Sequence, residues 1–132
     1  MKQREIKFRG KRIDNGEWVY GYLAFIYVDG KDENGFIYTN KARIYCQEEA
    51  RSYDVIAETV GQFTGLKDSK GVEIYKGDIL SGNYPDEVFW SNERGQWMLR
   101  NSENPDDTLW EILRHHKVEV IGNKFENKNL LK

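Results

Sequence analysis

The chain is predicted to be a mainly β protein, and three features of its 132 residues carry that expectation. Short apolar-alternating runs recur along its length, such as Ile6-Lys7-Phe8-Arg9 and Val118-Glu119-Val120, with the period of two that a half-buried strand requires. Between them lie turn-forming clusters: Asp14-Asn15-Gly16-Glu17, Asp68-Ser69-Lys70-Gly71 and Ser91–Gly95. Only one segment carries a helix-start pattern. Hydrophobic residues make up 39% and aromatics 14%, with two prolines; that ring content supplies enough apolar area to fold a chain otherwise rich in charge.

Taken in order, Ile6–Arg9 forms the first strand, and Asn15-Gly16 predicts a type I′ hairpin into a second strand beginning at Trp18. In that strand Trp18, Tyr20 and Tyr22 share one face, and Val19, Gly21 and Leu23 the other. Phe25–Val28 continues it, and the polar loop Asp29–Gly35 returns into Phe36-Ile37-Tyr38. Ala42–Cys46 supplies a further strand, Gln47–Arg51 a single helical turn, and Tyr53–Thr59 an extended run. Val60–Leu80 is the organising stretch: Asp68 and Gly71 set a type I turn joining Gly61–Leu66 to Val72–Tyr75, and Lys76-Gly77-Asp78 breaks the run before Ile79-Leu80. Val88-Phe89-Trp90 and Gln96–Leu99 pair through a three- to five-residue connection. Asn104-Pro105-Asp106-Asp107 has the acceptor, proline and acids of a helix start, so a short helix is expected near residues 106–114 with Leu109, Ile112 and Leu113 inward. Val118–Val120 is a last strand, and 124–132 a tail packing Phe125 and Leu130.

Charge and cysteine content bound the function. Twenty basic and 22 acidic residues give a net charge of −2, a balance that draws the whole molecule to neither a polyanion nor an acidic membrane. The lone Cys46 has no partner for an intrachain disulfide and no second thiol for zinc, which fits a reducing cytoplasm. No signal-peptide core and no apolar run of membrane-spanning length occurs, so a soluble cytoplasmic protein is expected.

Candidate chemistry is sparse. His115-His116 are adjacent and point apart in either a strand or a helix, so they are read as residues complementing a helix C-terminus rather than as metal ligands. The acidic loop Asp29–Gly35 departs from a calcium loop because Lys31 sits where an oxygen ligand belongs. Asp68, Glu73 and Asp78 have no basic or metal partner nearby in sequence; Asp68 reads as a turn acceptor and Asp78 as an acceptor for backbone amides. Gly61–Lys67 lacks the spacing and following helix of a phosphate loop. No catalytic, metal or cofactor residue is therefore expected. The remaining surface signal is the basic and aromatic set Phe8, Arg9, Lys11, Arg12, Trp18, Tyr20 and Tyr22, which could stack bases and hold phosphates or, alternatively, serve as core or a subunit contact.

The string Glu58-Thr59-Val60-Gly61-Gln62-Phe63-Thr64-Gly65-Leu66-Lys67-Asp68, followed by Gly71, Ile74-Tyr75 and Gly77-Asp78-Ile79, resembles the signature of the YopX family, found mostly in phages and prophages. Ile6–Arg9 near the start agrees with it, as do Val118–Asn123, Glu126-Asn127 and Leu130-Leu131 at the end. The resemblance spans nearly the whole chain and is weakest over residues 22–54. The chain departs from the common pattern at Ala57, where proline often precedes the Glu-Thr pair, and at Gly10-Lys11-Arg12, where Ala-Trp-Asp is frequent. The resemblance implies a largely β protein with an SH3-like barrel, no assigned activity, and a structural signature at Gly61, Gly65, Asp68, Gly71, Gly77, Asp78, Gly122 and Asn123. Residues 1–59 are accordingly expected to form an N-terminal β meander, and 60–132 an SH3-like barrel with a C-terminal helix, strand and tail. The functional expectation is a non-enzymatic phage or prophage accessory protein, a homo-oligomerising or protein-binding module. The alternative is a single-stranded nucleic-acid binder using Arg9, Arg12, Trp18, Tyr20 and Tyr22.

Overall fold

A computed structural model describes residues 5–27, 30–31, 33–38, 41–82, 85–101 and 107–131. The chain divides into two compact units, Met1–Gln62 and Phe63–Lys132.

In the first unit, β1 (Phe8–Lys11) pairs with β2 (Trp18–Tyr27). A small hairpin of β3 (Gly30–Lys31) and β4 (Ile37–Tyr38) follows. The polar loop expected over Asp29–Gly35 falls here, with Asp29 and Asp32 outside the described residues. β5 (Lys41–Cys46) and β6 (Arg51–Val55) complete an antiparallel order β6-β5-β2-β1, with the start of β7 (Gly61–Lys67) beside β1. Alternation does the sorting. In β5, Ala42 and Ile44 are buried while Lys41, Arg43 and Tyr45 are exposed. Val19, Ala42, Ile44, Val55 and Ala57 form the core, with Phe8, Leu23, Tyr53 and Val60 packed on it. The sheet curls back on itself: Ile56 N–H donates to Lys11 O at 2.8 Å, Ile13 N–H to Asp54 O at 3.1 Å, and Arg12 bridges Val55. Gly10 makes that curl sterically feasible, because a Cβ there would lie 2.8 Å from Val55 Cγ2.

Two local expectations in this unit are corrected. The β1–β2 connection is a wider loop than a type I′ turn: only Gly16 has positive φ (74°), and Asn15 instead uses its Oδ1 to accept the Glu17 N–H at 2.9 Å. A side chain that satisfies a backbone donor two residues on competes with the left-handed conformation a type I′ turn would demand of it. Gln47–Ala50 is a hairpin turn, not a helical one; Ala50 N–H donates to Gln47 O at 3.2 Å and Ala50 takes φ 53°. Cys46 pairs with Arg51, so the four residues between them close a β-hairpin and Arg51 already belongs to β6.

The second unit holds the rest of β7, β8 (Glu73–Tyr75), β9 (Asp78–Leu80), β10 (Asp86–Ser91), β11 (Gln96–Arg100), β12 (Asp107–Thr108), α1 (Leu109–His115) and β13 (Val120–Asn123). Five strands run antiparallel in the order β12-β11-β10-β9-β13. The β10–β11 hairpin turns through residues 92–95, with Gly95 N–H donating to Ser91 O at 2.8 Å. Ile74, Leu80, Val88, Leu99, Leu109 and Val118 are the core, flanked by Leu66, Trp97, Ile112, Leu113 and Val120. The chain is mainly β with one α-helix among the described residues, but the SH3-like closure expected here is not formed: β12 and β13 remain the two ends of an open order. The helix supplies the reason, since Leu109, Ile112 and Leu113 cover the apolar side that a closing sheet would otherwise have to cover itself. The helix also starts later than expected. Asn104–Asp106 lie outside the described residues, and Asp107 and Thr108 pair with Leu99 and Met98 in the sheet rather than forming a first helical turn. Among the described residues no helix is long and apolar enough to cross a membrane.

Candidate functional site

The glycine-rich signature folds into a self-satisfying bracket. Gly65, Gly71 and Gly77 all hold positive φ, at 87°, 83° and 90°. Asp68, 7% exposed, accepts three backbone N–H groups: Lys70 and Val72 on Oδ1 and Val120 on Oδ2, each at 2.9 Å. The first two shape the β7–β8 turn; the third reaches 52 residues along the chain to hold β13. Burial pushes this carboxyl up, but the three N–H donors and the Lys70 charge outweigh it and hold Asp68 below the usual carboxylate range. Asp78, 1% exposed, accepts the Tyr75 N–H at 2.7 Å. Gly77 N–H donates to Val88 O, and Gly77 O accepts the Lys124 N–H, both at 2.9 Å. Asn123 Oδ1 takes the Phe125 and Glu126 N–H groups at 3.0 Å, and Gly122 leaves room for Asn127, whose Oδ1 would lie 2.6 Å from a Cβ there. Gly61 pairs with Arg9 at the start of β7. Every side-chain acceptor named here is directed at backbone amides, an arrangement suited to holding strands in place.

The other constellation is the outer face of the first unit's sheet. Register places Arg9 opposite Tyr20, Lys11 opposite Trp18, and Tyr22 opposite Tyr45. Partners in register share a face, so Arg9, Lys11, Trp18, Tyr20, Tyr22 and Tyr45 lie together, away from the side of Val19 and Ile44. A bulge between Leu23 and Phe25 shifts the alternation, bringing Phe25 opposite Arg43 on the same outer side. The rings are substantially open: Tyr20 is 44% exposed, Tyr22 52% and Tyr45 38%. Cations line them. The Arg9 guanidinium sits 4.8 Å from the Trp18 ring centroid and is itself buried, while Arg43 lies 5.5 Å from Phe25 and hydrogen-bonds Asp54 at 2.9 Å. Tyr22 OH reaches Gln47 Oε1 at 3.1 Å.

Of the surface residues expected from sequence, Arg9, Lys11, Trp18, Tyr20 and Tyr22 thus come together, whereas Phe8 packs against the core of Val19 and Ile44 and Arg12 also lies apart. Arg12 forks onto Asp14 at 2.7 and 2.9 Å and lies 4.2 Å over Tyr53, whose register partner is the core residue Ile44. The contribution of β5 was missed. Lys41, Arg43 and Tyr45 alternate with Ala42 and Ile44, which is legible as a one-sided strand, but its neighbour in the sheet is not. His115 meets Glu111 at 3.3 Å on the helix surface, and no group of three or more His, Cys, Asp or Glu able to hold a metal occurs among the described residues.

Fold and surfaces together define a protein of two small antiparallel β units, one bracketed by buried carboxylates and the other carrying an open aromatic and basic face. The chain belongs to the YopX family: the family model described as "YopX protein" matches residues 7–132. Among solved structures it is similar to the crystal structure of protein EF1440 from Enterococcus faecalis, at 24% identity and TM-score 0.54, covering 98% of this chain and 100% of that one. That likeness concerns the fold. No curated protein matches the chain.

Proposed function

We propose that the chain is a non-enzymatic contact module whose working surface is the outer face of β1, β2 and β5. The observation that carries this reading is the exposure of Tyr20, Tyr22 and Tyr45 side by side on one sheet face. Tyrosine and arginine are the residues that contact surfaces favour, because a rigid amphipathic ring offers area at little entropic cost. The phage or prophage setting rests on the family resemblance, and the cytoplasm on the lone Cys46, which fits a reducing compartment. Self-association is one form such contact can take, and light scattering at micromolar concentration tests it by mass.

The face itself is tested by tyrosine nitration located by mass spectrometry, together with a Tyr20→Ser/Tyr22→Ser/Tyr45→Ser variant. The contact reading expects the three rings to be reactive in the monomeric chain and the variant to melt near the wild type. Unreactive rings in a monomer, with an unfolded variant, would make the face structural and refute the reading.

A further inference from the structure

We propose that this face takes single-stranded nucleic acid, with bases stacked on Tyr20, Tyr22 and Tyr45 and phosphates drawn to Lys11, Lys41 and Arg43. The proposal rests on the contact-module reading and specifies its occupant.

Charge segregation is the first argument. The chain as a whole is acidic, at −2, yet β1, β2 and β5 (Phe-Arg-Gly-Lys, Trp-Val-Tyr-Gly-Tyr-Leu-Ala-Phe-Ile-Tyr and Lys-Ala-Arg-Ile-Tyr-Cys) contain Arg9, Lys11, Lys41 and Arg43 and not one carboxylate. Alternation puts all four cations on the outer side, since Lys41 and Arg43 have the parity of Tyr45, and Arg9 and Lys11 that of Tyr20 and Trp18. The acid that register brings to this side is Asp54, bonded to Arg43. A molecule with a negative total thus concentrates positive charge where its rings are open, and an anionic partner is the complementary one. A second copy is disfavoured by the same fact, because a two-fold contact would bring this cationic face against itself.

Geometry is the second argument. Trp18, Tyr20 and Tyr22 are alternate residues of one strand, so their attachment points repeat at about 7 Å, an interval that an extended single strand can follow nucleotide by nucleotide. Lys11 and the buried Arg9 stand opposite Trp18 and Tyr20 on β1, while on β5 Tyr45 stands opposite Tyr22 and Arg43 and Lys41 stand opposite Phe25 and Tyr27, farther along β2. A row of rings with a cationic strand beside each of its two ends matches a chain whose bases lie centrally and whose phosphates meet a cation at either end. Duplex nucleic acid hides its ring faces in the stack and offers phosphates and base edges, so it would gain no stacking on the tyrosines.

The test is fluorescence anisotropy with labelled oligo(dT) and oligo(U) of about 15 nucleotides, within the site sizes known for stacking surfaces, alongside a duplex of equal length and heparin as competitor. The proposal expects either single strand to bind at least tenfold tighter than duplex. Its affinity should fall with salt at a log–log slope of about −2, as three phosphate contacts to a single strand give. Tyr22→Ala and Tyr45→Ala should each weaken binding about tenfold, consistent with the known range for one stacked base. Lys41→Glu, at an exposed side chain, should weaken it without altering the melting temperature and keeps the test decisive if a ring variant fails to fold. No binding at low salt, equal binding of duplex, or indifference to these variants would overturn the proposal. Absence of oligonucleotide binding together with a doubled mass that Tyr22→Ala restores to the monomer would overturn it in favour of a second copy, leaving the contact reading intact.

Discussion

Replacing Asp68 by asparagine tests the signature bracket at its centre. The carboxylate accepts Lys70 and Val72 on one oxygen and Val120 on the other, all at 2.9 Å, in a position 7% exposed. An asparagine can retain only one of these oxygens. If its carbonyl keeps the turn amides, its NH2 faces the Val120 N–H, donor against donor, and that amide is stranded. A buried donor left unsatisfied costs about 1–3 kcal/mol, and bonds to a charged acceptor are each stronger than neutral ones. Asp68→Asn should therefore destabilise by about 2–3 kcal/mol, and Asp68→Ala, which strands all three donors, by about 4 kcal/mol. Urea unfolding measures both. The pH dependence adds a second readout. Asp68 is held below its ordinary 3.8 in the folded chain, so the unfolded state takes up the proton first. Its contribution is complete above that ordinary value and is lost as pH falls through the lower folded one. The asparagine variant should lack this part of the acid-induced loss. A cost below about 1 kcal/mol for both variants would contradict the bracket.

Asp86 predicts the opposite sign. Burial first, and then the neighbouring Asp107 charge, raise its carboxyl, while Asn101 works against them. The folded state thus holds the proton longer, and stability contributed here declines as pH rises above 3.8. Asp86→Asn should raise the melting temperature at pH 7, and a fall would contradict this account. Gly122→Ala places a Cβ 2.6 Å from Asn127 Oδ1, and Gly10→Ala places one 2.8 Å from Val55 Cγ2; each should cost about 1–3 kcal/mol by calorimetry, with unchanged melting the contrary result. The Tyr20→Ser/Tyr22→Ser/Tyr45→Ser variant should stay within about 0.5 kcal/mol per site of the wild type, as exposed substitutions do.

What the sequence made legible was local. Alternation at Ile6–Arg9 and Val118–Val120, and the turn chemistry of Asp68 and Gly71, depend on neighbours a few residues away. They correspond to strands and a turn near the expected places. Less legible were features decided at a distance. The third bond of Asp68, to Val120, cannot be read from its own turn. Arg12 looked like part of the aromatic face because it follows Arg9 and Lys11, but a return of β6 onto β1 draws it to the Tyr53 side. Tyr45 and Arg43 join the face only because β5, far along the chain, pairs with β2. The barrel expectation failed for a related reason: Leu109, Ile112 and Leu113 cover the apolar side, and nothing in the strand pattern announces where a short helix will lie.

Nuclear magnetic resonance mapping of the chain titrated with oligo(dT) tests the outer face most directly. Shifts confined to Arg9–Lys11, Trp18–Tyr22 and Lys41–Tyr45, with residues 63–132 silent, are what the account predicts. Shifts clustered on the second unit, or none at saturating oligonucleotide and low salt, would contradict it.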